Sequence, residues 1–352
     1  MGYPLDPTPE QMREMGESAL AYAIDFLGRR PHAPASGFEG AEEIARAHRE
    51  DPPEVGGEFP PLLELVETIA ARATDNAGPG FLAYIPGGGL FASSLADFLS
   101  TTIDKFVNLW GEAPVGAQIE NNVVRWLCDL FEYPESSRGV LTSGGSLANF
   151  SAIVAARKAK LPEDFLSGAL YVSEHAHASV AKAAMLVGFP RGNLRIVATD
   201  PSLRMEVDAL RRQVAEDRAA GLTPFAVVAS AGTTNTGAID PIDAIADVAA
   251  SEDLWLHIDG AYGGFFQLTE RGRERFRGIE RADSITLDPH KGLFLPYGTG
   301  AVVVRDGAAL RDAHFVGAAY LQDLAADADI PNFAEYSAEL SRDFRGLRVW
   351  FP

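Results

Sequence analysis

The sequence has little cysteine, little positive charge and no long apolar run. Its one cysteine, Cys128, cannot form a disulfide within the chain, which favours a reducing, cytoplasmic compartment. Because Trp126, Leu127 and Leu130 lie beside it, we expect a buried structural thiol rather than a reactive one. No stretch of about 18 apolar residues predicts a membrane span, and no basic segment followed by an apolar run indicates a signal peptide.

The charge balance excludes two classes of partner. The 352 residues carry 30 Lys and Arg against 49 Asp and Glu, a net charge of −19. A body this acidic repels nucleic-acid phosphates and anionic lipid, so neither nucleic acid nor a membrane is predicted as a partner. The apolar content of 47% is typical of a globular enzyme and unlike that of a disordered chain.

The two ends of the chain differ in pattern from its middle. Residues 8–30 and 62–73 have the apolar spacing of helices, separated by loops rich in Pro and Gly. A helical spacing also runs from Leu340 to Phe351 without a C-cap signal, so we expect a small C-terminal domain that is truncated here. Three parts are therefore predicted: an N-terminal helical arm over 1–75, a large domain over 76–308, and the start of a further domain over 309–352.

From residue 139 onward, apolar strand candidates alternate with helix candidates. This alternation predicts an α/β fold with a mostly parallel sheet flanked by helices. Ligands of such sheets bind beyond the carboxyl ends of the strands. The predicted strands are 140–142, 169–173, 194–198, 225–230, 254–258, 284–287 and 301–304, and the predicted helices are 146–160, 178–187, 206–219 and 242–251.

A loop of small residues follows the first predicted strand. Gly144, Gly145 and Ser146 stand before a helix, where backbone N–H groups can approach an anion and the helix N-terminus adds partial positive charge. The loop is not a Walker loop, because no Gly-Lys-Ser/Thr follows. The alternative interpretation is an ordinary helix start capped by serine.

Two further strand ends carry charged residues. Asp259 ends an apolar strand, where a pyridinium N–H⁺ would be a suitable partner and would stay protonated beside it. Lys291, between His290 and Gly292, could form a Schiff base with an aldehyde cofactor. The alternatives are a turn or N-cap aspartate and a solvated surface lysine.

A pair of histidines, His175 and His177, follows another predicted strand. A zinc site is not favoured, because no cysteine partner and no His-Glu-x-x-His motif accompanies the pair. An imidazole stacked on a planar ring suits this setting better.

In this order, the glycine-rich loop, the histidine, the aspartate and the lysine resemble the group II pyridoxal-phosphate (PLP) decarboxylases. Asp259 and Lys291 are 32 residues apart (291 minus 259), as in the family pattern. The segment 230–237 resembles the Gly-Thr-Thr turn of the family, and the resemblance runs from about Phe81 to the end. It implies the aspartate aminotransferase-like fold (fold type I), PLP as cofactor, a homodimer with shared active sites, and decarboxylation of an L-amino acid to the amine and CO2.

The resemblance also implies individual roles. Asp288 is left out of the predicted site, because many relatives have an asparagine there that contacts phosphate, and a carboxylate would repel it. By resemblance, Lys291 binds PLP covalently, Asp259 pairs with the ring nitrogen, His177 and Ala261 lie on the two ring faces, Thr234 lies near the ring hydroxyl, and Gly144, Gly145, Ser146 and His290 surround the phosphate.

Tyr320 precedes an acidic, alanine-rich stretch that we interpret as a mobile loop ending near Ile330. The family has a tyrosine at this place that protonates the carbanion after CO2 leaves, and relatives with phenylalanine tend to make aldehydes. Tyr320 therefore favours plain decarboxylation. The alternative is an ordinary surface tyrosine.

The substrate pocket is predicted from two stretches. Tyr84, Ile85 and Pro86 resemble the pocket wall of the family, and Phe106 and Asn108 match a stretch that reaches the pocket of the partner subunit. Phe106 suits an aromatic ring, so an aromatic L-amino acid is the predicted substrate, although interface packing would explain this stretch equally well. The alternatives are glutamate, aspartate or 2,4-diaminobutyrate as substrate, an aminotransferase or aldehyde synthase, and a non-catalytic scaffold.

Overall fold

The computed structural model describes residues 7–82, 85, 87–317 and 331–352. The chain divides into two compact units, Met1–Pro86 and Gly87–Pro352. The three-part division drawn from the sequence stays a prediction.

The N-terminal unit consists of helices and connecting loops. A capping box opens its first helix: the Thr8 hydroxyl accepts from the backbone N–H of Gln11, whose side chain accepts from the backbone N–H of Thr8. Arg29 and Glu67 join the first and third helices through two hydrogen bonds of 3.1 and 3.0 Å. The two predicted helices are confirmed, and a short third one lies between them. The helices are α1 (Pro9–Arg29), α2 (Ala41–Ala47) and α3 (Phe59–Ala71).

The second unit is built on a seven-stranded mixed sheet with the order β1-β7-β6-β5-β4-β2-β3. All neighbouring strands are parallel except β7, which is antiparallel to both β6 and β1. Strands β1, β2, β4, β5 and β6 therefore end at the same edge. The strands are β1 (Arg138–Thr142), β2 (Gly168–Ser173), β3 (Leu194–Val197), β4 (Thr223–Ser230), β5 (Trp255–Gly260), β6 (Ser284–Leu287) and β7 (Gly300–Val304).

Helices flank the sheet, so the predicted α/β architecture is confirmed. Strands β5 and β6 are buried along their whole length, as is β4 after Thr223, which explains their continuous apolar sequences. The helices are α4 (Phe91–Ile103), α5 (Pro114–Leu130), α6 (Gly145–Lys160), α7 (Ala178–Val187), α8 (Val207–Ala219), α9 (Ile242–Glu252), α10 (Glu270–Arg275), α11 (Pro289–Gly292), α12 (Gly307–His314) and α13 (Arg345–Trp350).

The helical spacing from Leu340 to Phe351 forms a helix only over α13. Before it, Leu340 is exposed, while the side chain of Arg342 is fully buried and forms an ion pair of 2.6 Å with Glu120 of α5. The expectation of a helix from residue 340 is therefore wrong, because a buried charged side chain, not an apolar helix face, anchors this part of the segment.

Two expectations from composition can be compared directly with the fold. Cys128 is fully buried in α5, as its apolar neighbours predict, and burial raises the pKa of its thiol. Among the described residues, no helix combines the length and the apolar character that a membrane crossing requires.

Candidate active site

A cavity of about 250 Å3 lies at the edge where the parallel strands end. Its walls come from the segments that follow β1, β2, β4, β5 and β6, the position at which open α/β sheets bind ligands. Nine residues predicted from the sequence line this one cavity: Gly144, Gly145, Ser146, His177, Thr234, Asp259, Ala261, His290 and Lys291.

The glycine loop between β1 and α6 provides one end of the cavity. A Cβ on Gly145 would lie 2.9 Å from Asp288 Oδ2 and 3.1 Å from Ala261 Cβ, so the close packing here requires glycine. Helix α6 begins at the loop, and the partial positive charge of its N-terminus faces the cavity. This end of the cavity therefore suits an anion such as a phosphate group.

Asp259 provides a buried carboxylate at the end of β5, with 8% of its surface exposed. Its Oδ2 accepts from Asn149 Nδ2 at 3.1 Å, and its Oδ1 accepts from the backbone N–H of Ala261 at 3.1 Å. A carboxylate can accept about four hydrogen bonds. Asp259 can therefore accept a further donor from the cavity, such as a protonated ring nitrogen.

Lys291 lies on the short helix α11 and forms an ion pair with Asp288, which was not among the predicted site residues. Its Nζ is 2.7 Å from Asp288 Oδ2, and Asp288 is 1% exposed. The other carboxylate oxygen, Oδ1, is buried and has no hydrogen-bond partner among the described residues. Asp288 was left out of the predicted phosphate site, yet its carboxylate lines the cavity between the lysine and the glycine loop.

The two cavity histidines are each fixed through Nδ1. His177 caps α7, where its Nδ1 accepts from the backbone N–H of Ser179 at 3.3 Å and lies 2.8 Å from the Ser179 hydroxyl. The Nδ1 of His290 accepts from the backbone N–H of Thr299 at 3.3 Å. Burial lowers the pKa of His290, which favours its neutral form.

Several cavity residues received no role from the sequence. Asn149 lies one helical turn after Gly145, and Ser179 lies two residues after His177. The i, i+4 spacing in a helix that begins at a phosphate-type loop is a signal that could have indicated Asn149. The other lining residues without a predicted role are Ser143, Leu147, Ser230, Gly232, Thr233 and Tyr262.

The structure describes some of the residues predicted to form the substrate pocket. Asn108 is fully buried; its Nδ2 donates to the backbone oxygen of Leu340 at 2.6 Å, while its Oδ1 has no hydrogen-bond partner among the described residues, so its predicted role stays a prediction. Neither Asn108 nor Phe106 is among the described residues that line the cavity. Ile85 belongs to the N-terminal unit, where its predicted role stays a prediction. Tyr84, Pro86 and Tyr320 lie outside the described residues.

The groups that line the cavity match the chemical groups of PLP: its aldehyde, its ring nitrogen, its planar ring and its phosphate. The cavity joins an amine, a carboxylate with free acceptor capacity, an imidazole beside them and a glycine loop at a helix N-terminus. Among the described residues next to the glycine loop, the Asp288 carboxylate does not complement a phosphate, and it pairs with Lys291. In the described part of the chain, no set of three or more His, Cys, Asp or Glu side chains is placed to hold a metal ion.

Comparison with known proteins also indicates a PLP enzyme. Residues 46–352 match the family described as the pyridoxal-dependent decarboxylase conserved domain. An aromatic-L-amino-acid decarboxylase of Bacillus atrophaeus is 37% identical over 348 residues, covering 98% of this chain and 72% of the relative. An L-2,4-diaminobutyrate decarboxylase of Rhizobium meliloti (strain 1021) is 33% identical, and the match covers 97% of this chain and 70% of the relative. A crystal structure of Oryza sativa TDC with PLP and tryptamine has a TM-score of 0.91 at 27% identity, and the match covers 100% of this chain and 75% of that structure's chain.

The fold is that of a PLP enzyme of fold type I. The chain belongs to the pyridoxal-dependent decarboxylase family. Its cofactor is PLP, and its reaction is that of a carboxy-lyase.

Proposed function

We propose that this enzyme converts an aromatic L-amino acid to the corresponding amine and CO2, with Lys291 as the residue that holds PLP. The observation that carries the proposal is the single cavity that Lys291 and Asp259 share. The Bacillus atrophaeus relative is named for aromatic substrates, and the Oryza sativa structure contains tryptamine. Both support an aromatic side chain in the substrate.

When bound, PLP supplies an aldehyde for the substrate amine and an electron-withdrawing ring that accepts the electron pair of the broken Cα–carboxylate bond. Asp259 is proposed to hold the ring nitrogen in its protonated form, using acceptor capacity that Asn149 and Ala261 leave free. Gly144, Gly145 and Ser146 are proposed to bind the phosphate. His177 and Ala261 would lie on the ring faces and Thr234 near the ring hydroxyl.

Lys291 is proposed to hold the cofactor and to release it when the substrate amine arrives. Its side chain is partly exposed to the cavity and is anchored near the end of β6 by Asp288. Tyr320 is proposed to deliver a proton to the substrate Cα after CO2 leaves. It lies outside the described residues, so this role rests on the sequence resemblance.

A second substrate class follows from the relative of Rhizobium meliloti. That protein is named an L-2,4-diaminobutyrate decarboxylase and is 33% identical to this chain. Decarboxylation of a diamino acid is therefore the second candidate, with the same cofactor residues and a different side-chain pocket.

A homodimer with shared active sites in a cytoplasmic setting completes the proposal. One helix, α4, supports the dimer because it leaves a row of apolar side chains exposed on a single chain: Phe91, Leu95, Phe98, Leu99 and Ile103. The buried free thiol of Cys128 supports the reducing compartment.

The test is CO2 release from a panel of L-amino acids, with the amine product identified for each. We expect release from aromatic amino acids and a visible absorbance band from bound PLP. Lys291→Ala should lose both, whereas Lys182→Ala, which removes an exposed lysine from α7, should keep both. Release only from diaminobutyrate would select the second candidate, and keto-acid products without CO2 would contradict decarboxylation.

A further inference from the structure

A row of buried hydrogen bonds lies behind Asp259, and His257 stands at its centre. His257 Nε2 is 2.9 Å from Asn149 Oδ1, and His257 Nδ1 is 2.8 Å from Ser284 Oγ. Ser284 Oγ also accepts from Trp255 Nε1 at 2.8 Å. His257, Asn149 and Ser284 are each no more than 1% exposed, so water cannot replace these partners. Loss of any one contact would leave a buried polar group unsatisfied, which costs free energy.

The donor and the acceptor of each hydrogen bond in this row follow from the Asn149 amide at one end and the Trp255 indole at the other. The amide of Asn149 uses both N–H groups, one toward Asp259 Oδ2 at 3.1 Å and one toward Ser179 Oγ at 2.9 Å. Its Oδ1 can only accept, so His257 must donate from Nε2. The Nδ1 of His257 then accepts from the Ser284 hydroxyl, which in turn accepts from the donor-only indole of Trp255.

The histidine is held in this single tautomer as a neutral group. Burial lowers the pKa of His257 to about 4, although the charge of Asp259 acts in the opposite direction. Neutral imidazole has one donor nitrogen and one acceptor nitrogen, as the row requires. Thr286 Oγ1, 3.4 Å from Nε2, is a longer second contact of the same nitrogen.

Asn149 links the two parts of the cavity that would hold the cofactor ring. One N–H reaches Asp259, the proposed partner of the ring nitrogen. The other reaches Ser179, whose hydroxyl is 2.8 Å from Nδ1 of His177, the proposed ring-stacking residue. A rotation of the Asn149 amide by half a turn would present an oxygen, not N–H groups, to both sides.

We propose that His257 is a positioning residue for PLP: its Nε2–H holds the Asn149 amide in the orientation that donates to Asp259 and Ser179 together. This inference rests on the proposed role of Asp259 as partner of the ring nitrogen. An apolar side chain at position 257 removes the donor that fixes the amide. Asp259 then loses a fixed N–H partner, and the binding that PLP gains through its ring nitrogen falls.

The test compares PLP with its carbocyclic analogue, in which C–H replaces the ring nitrogen. The Kd of each is measured by equilibrium dialysis for wild type, His257→Leu and His257→Gln. In wild type, PLP should bind more tightly than the analogue. In His257→Leu, PLP binding should weaken by about tenfold while analogue binding changes little, the size expected for a hydrogen bond to a charged group. His257→Gln retains an N–H at the Nε2 position and should restore most of the difference.

Tyr171→Phe is the matched control, because it removes another buried hydrogen bond, the 2.9 Å contact to Asp217 Oδ2, at a residue that does not line the cavity. It should leave the ratio of the two Kd values at the wild-type level. If His257→Leu does not fold, Asn149→Ala removes the same N–H from Asp259 and should reduce the ratio in the same way. Equal weakening of PLP and analogue would overturn the inference alone, whereas failure of wild type to bind PLP would overturn the proposed function and the inference with it.

Discussion

Asp288 places a carboxylate against both the lysine and the glycine loop of the cavity. One oxygen pairs with Lys291, while the other is buried without a hydrogen-bond partner among the described residues. A phosphate bound at Gly145 would meet this negative charge at close range, since the carboxylate lies within contact distance of that loop. The residue therefore opposes the anion that the loop favours.

We expect Asp288→Asn to bind PLP about fivefold more tightly, because an amide removes the repulsion and can donate to phosphate. The Kd is measured by fluorescence titration at fixed ionic strength. Asp253→Asn removes the same charge from a site that is 91% exposed and should leave the Kd unchanged. Weaker binding in Asp288→Asn would show that the carboxylate contributes favourably.

His257 predicts a pH dependence of stability. Its pKa of about 4 in the folded chain lies below the ordinary value of 6.5, so the unfolded chain binds this proton first as the pH falls. The contribution to stability is therefore fully present above about pH 6.5 and is lost progressively toward pH 4. Between pH 7.5 and pH 5 the loss from this group should be about 2 kcal/mol.

Urea unfolding of the cofactor-free chain at the two pH values measures this loss. His257→Gln, which cannot titrate but keeps the other ionisable groups, should lose about 2 kcal/mol less than wild type over the same interval. Equal losses in the two proteins would mean that His257 is protonated in the folded state.

At the scale of elements, the antiparallel strand β7 packs directly against the glycine loop. A Cβ on Gly300 would lie 2.5 Å from the Cα and 2.6 Å from the carbonyl carbon of Gly144, both backbone atoms of the loop. Backbone atoms at these distances cannot move aside independently, so β1, β7 and the loop must shift together.

Gly300→Ala should therefore destabilise the fold by about 2 kcal/mol and weaken PLP binding, because the displaced loop carries the proposed phosphate site. Thermal unfolding and the Kd for PLP are both measured. Gly192→Ala adds the same methyl where no neighbour lies within 4 Å among the described residues, and it should change neither quantity strongly. A Gly300→Ala protein with unchanged stability and affinity would contradict this account of the loop.

The elements differ in how well the sequence indicates them. The apolar strands and the helices α6 to α9 follow clear periodic patterns, and α7 has His177 as its N-cap. Helices α4 and α5 have no side-chain cap at their N-cap residues Leu90 and Ala113, although Pro114 at the first position of α5 is a start signal that could have indicated that helix. Helix α12 has such a cap in Asp306, and its sequence could have indicated it.

At the scale of the whole molecule, a buried ion pair fastens the C-terminal segment to the sheet domain. Glu120 and Arg342 have fully buried side chains 2.6 Å apart, and Arg342 Nη1 also donates to the backbone oxygen of Leu141 in β1 at 3.1 Å. The pair thus joins α5, β1 and the segment 331–352. Loss of one partner leaves the other as an uncompensated buried charge.

We expect Glu120→Gln to lower the free energy of unfolding by about 3–5 kcal/mol, measured by urea denaturation. Glu206→Gln breaks the exposed pair with Arg212 and should cost about 0–1 kcal/mol. The double replacement Glu120→Leu with Arg342→Met should be less damaging than Glu120→Gln, since no charge stays buried. A single-variant cost equal to that of Glu206→Gln would show that the pair contributes little.

Local pattern was enough to predict the alternation of strands and helices and the residues that follow each strand. Since parallel strands end at one edge, the sequence alone leads us to expect Asp259 and Lys291 in one cavity. Only the tertiary structure decided which side chains face inward. It turned Asp288 into the cavity, committed Asn108 to the interior, and joined His257 to Asn149 across 108 residues of sequence. Side-chain direction at such contacts depends on packing between distant segments, and no local periodicity encodes it.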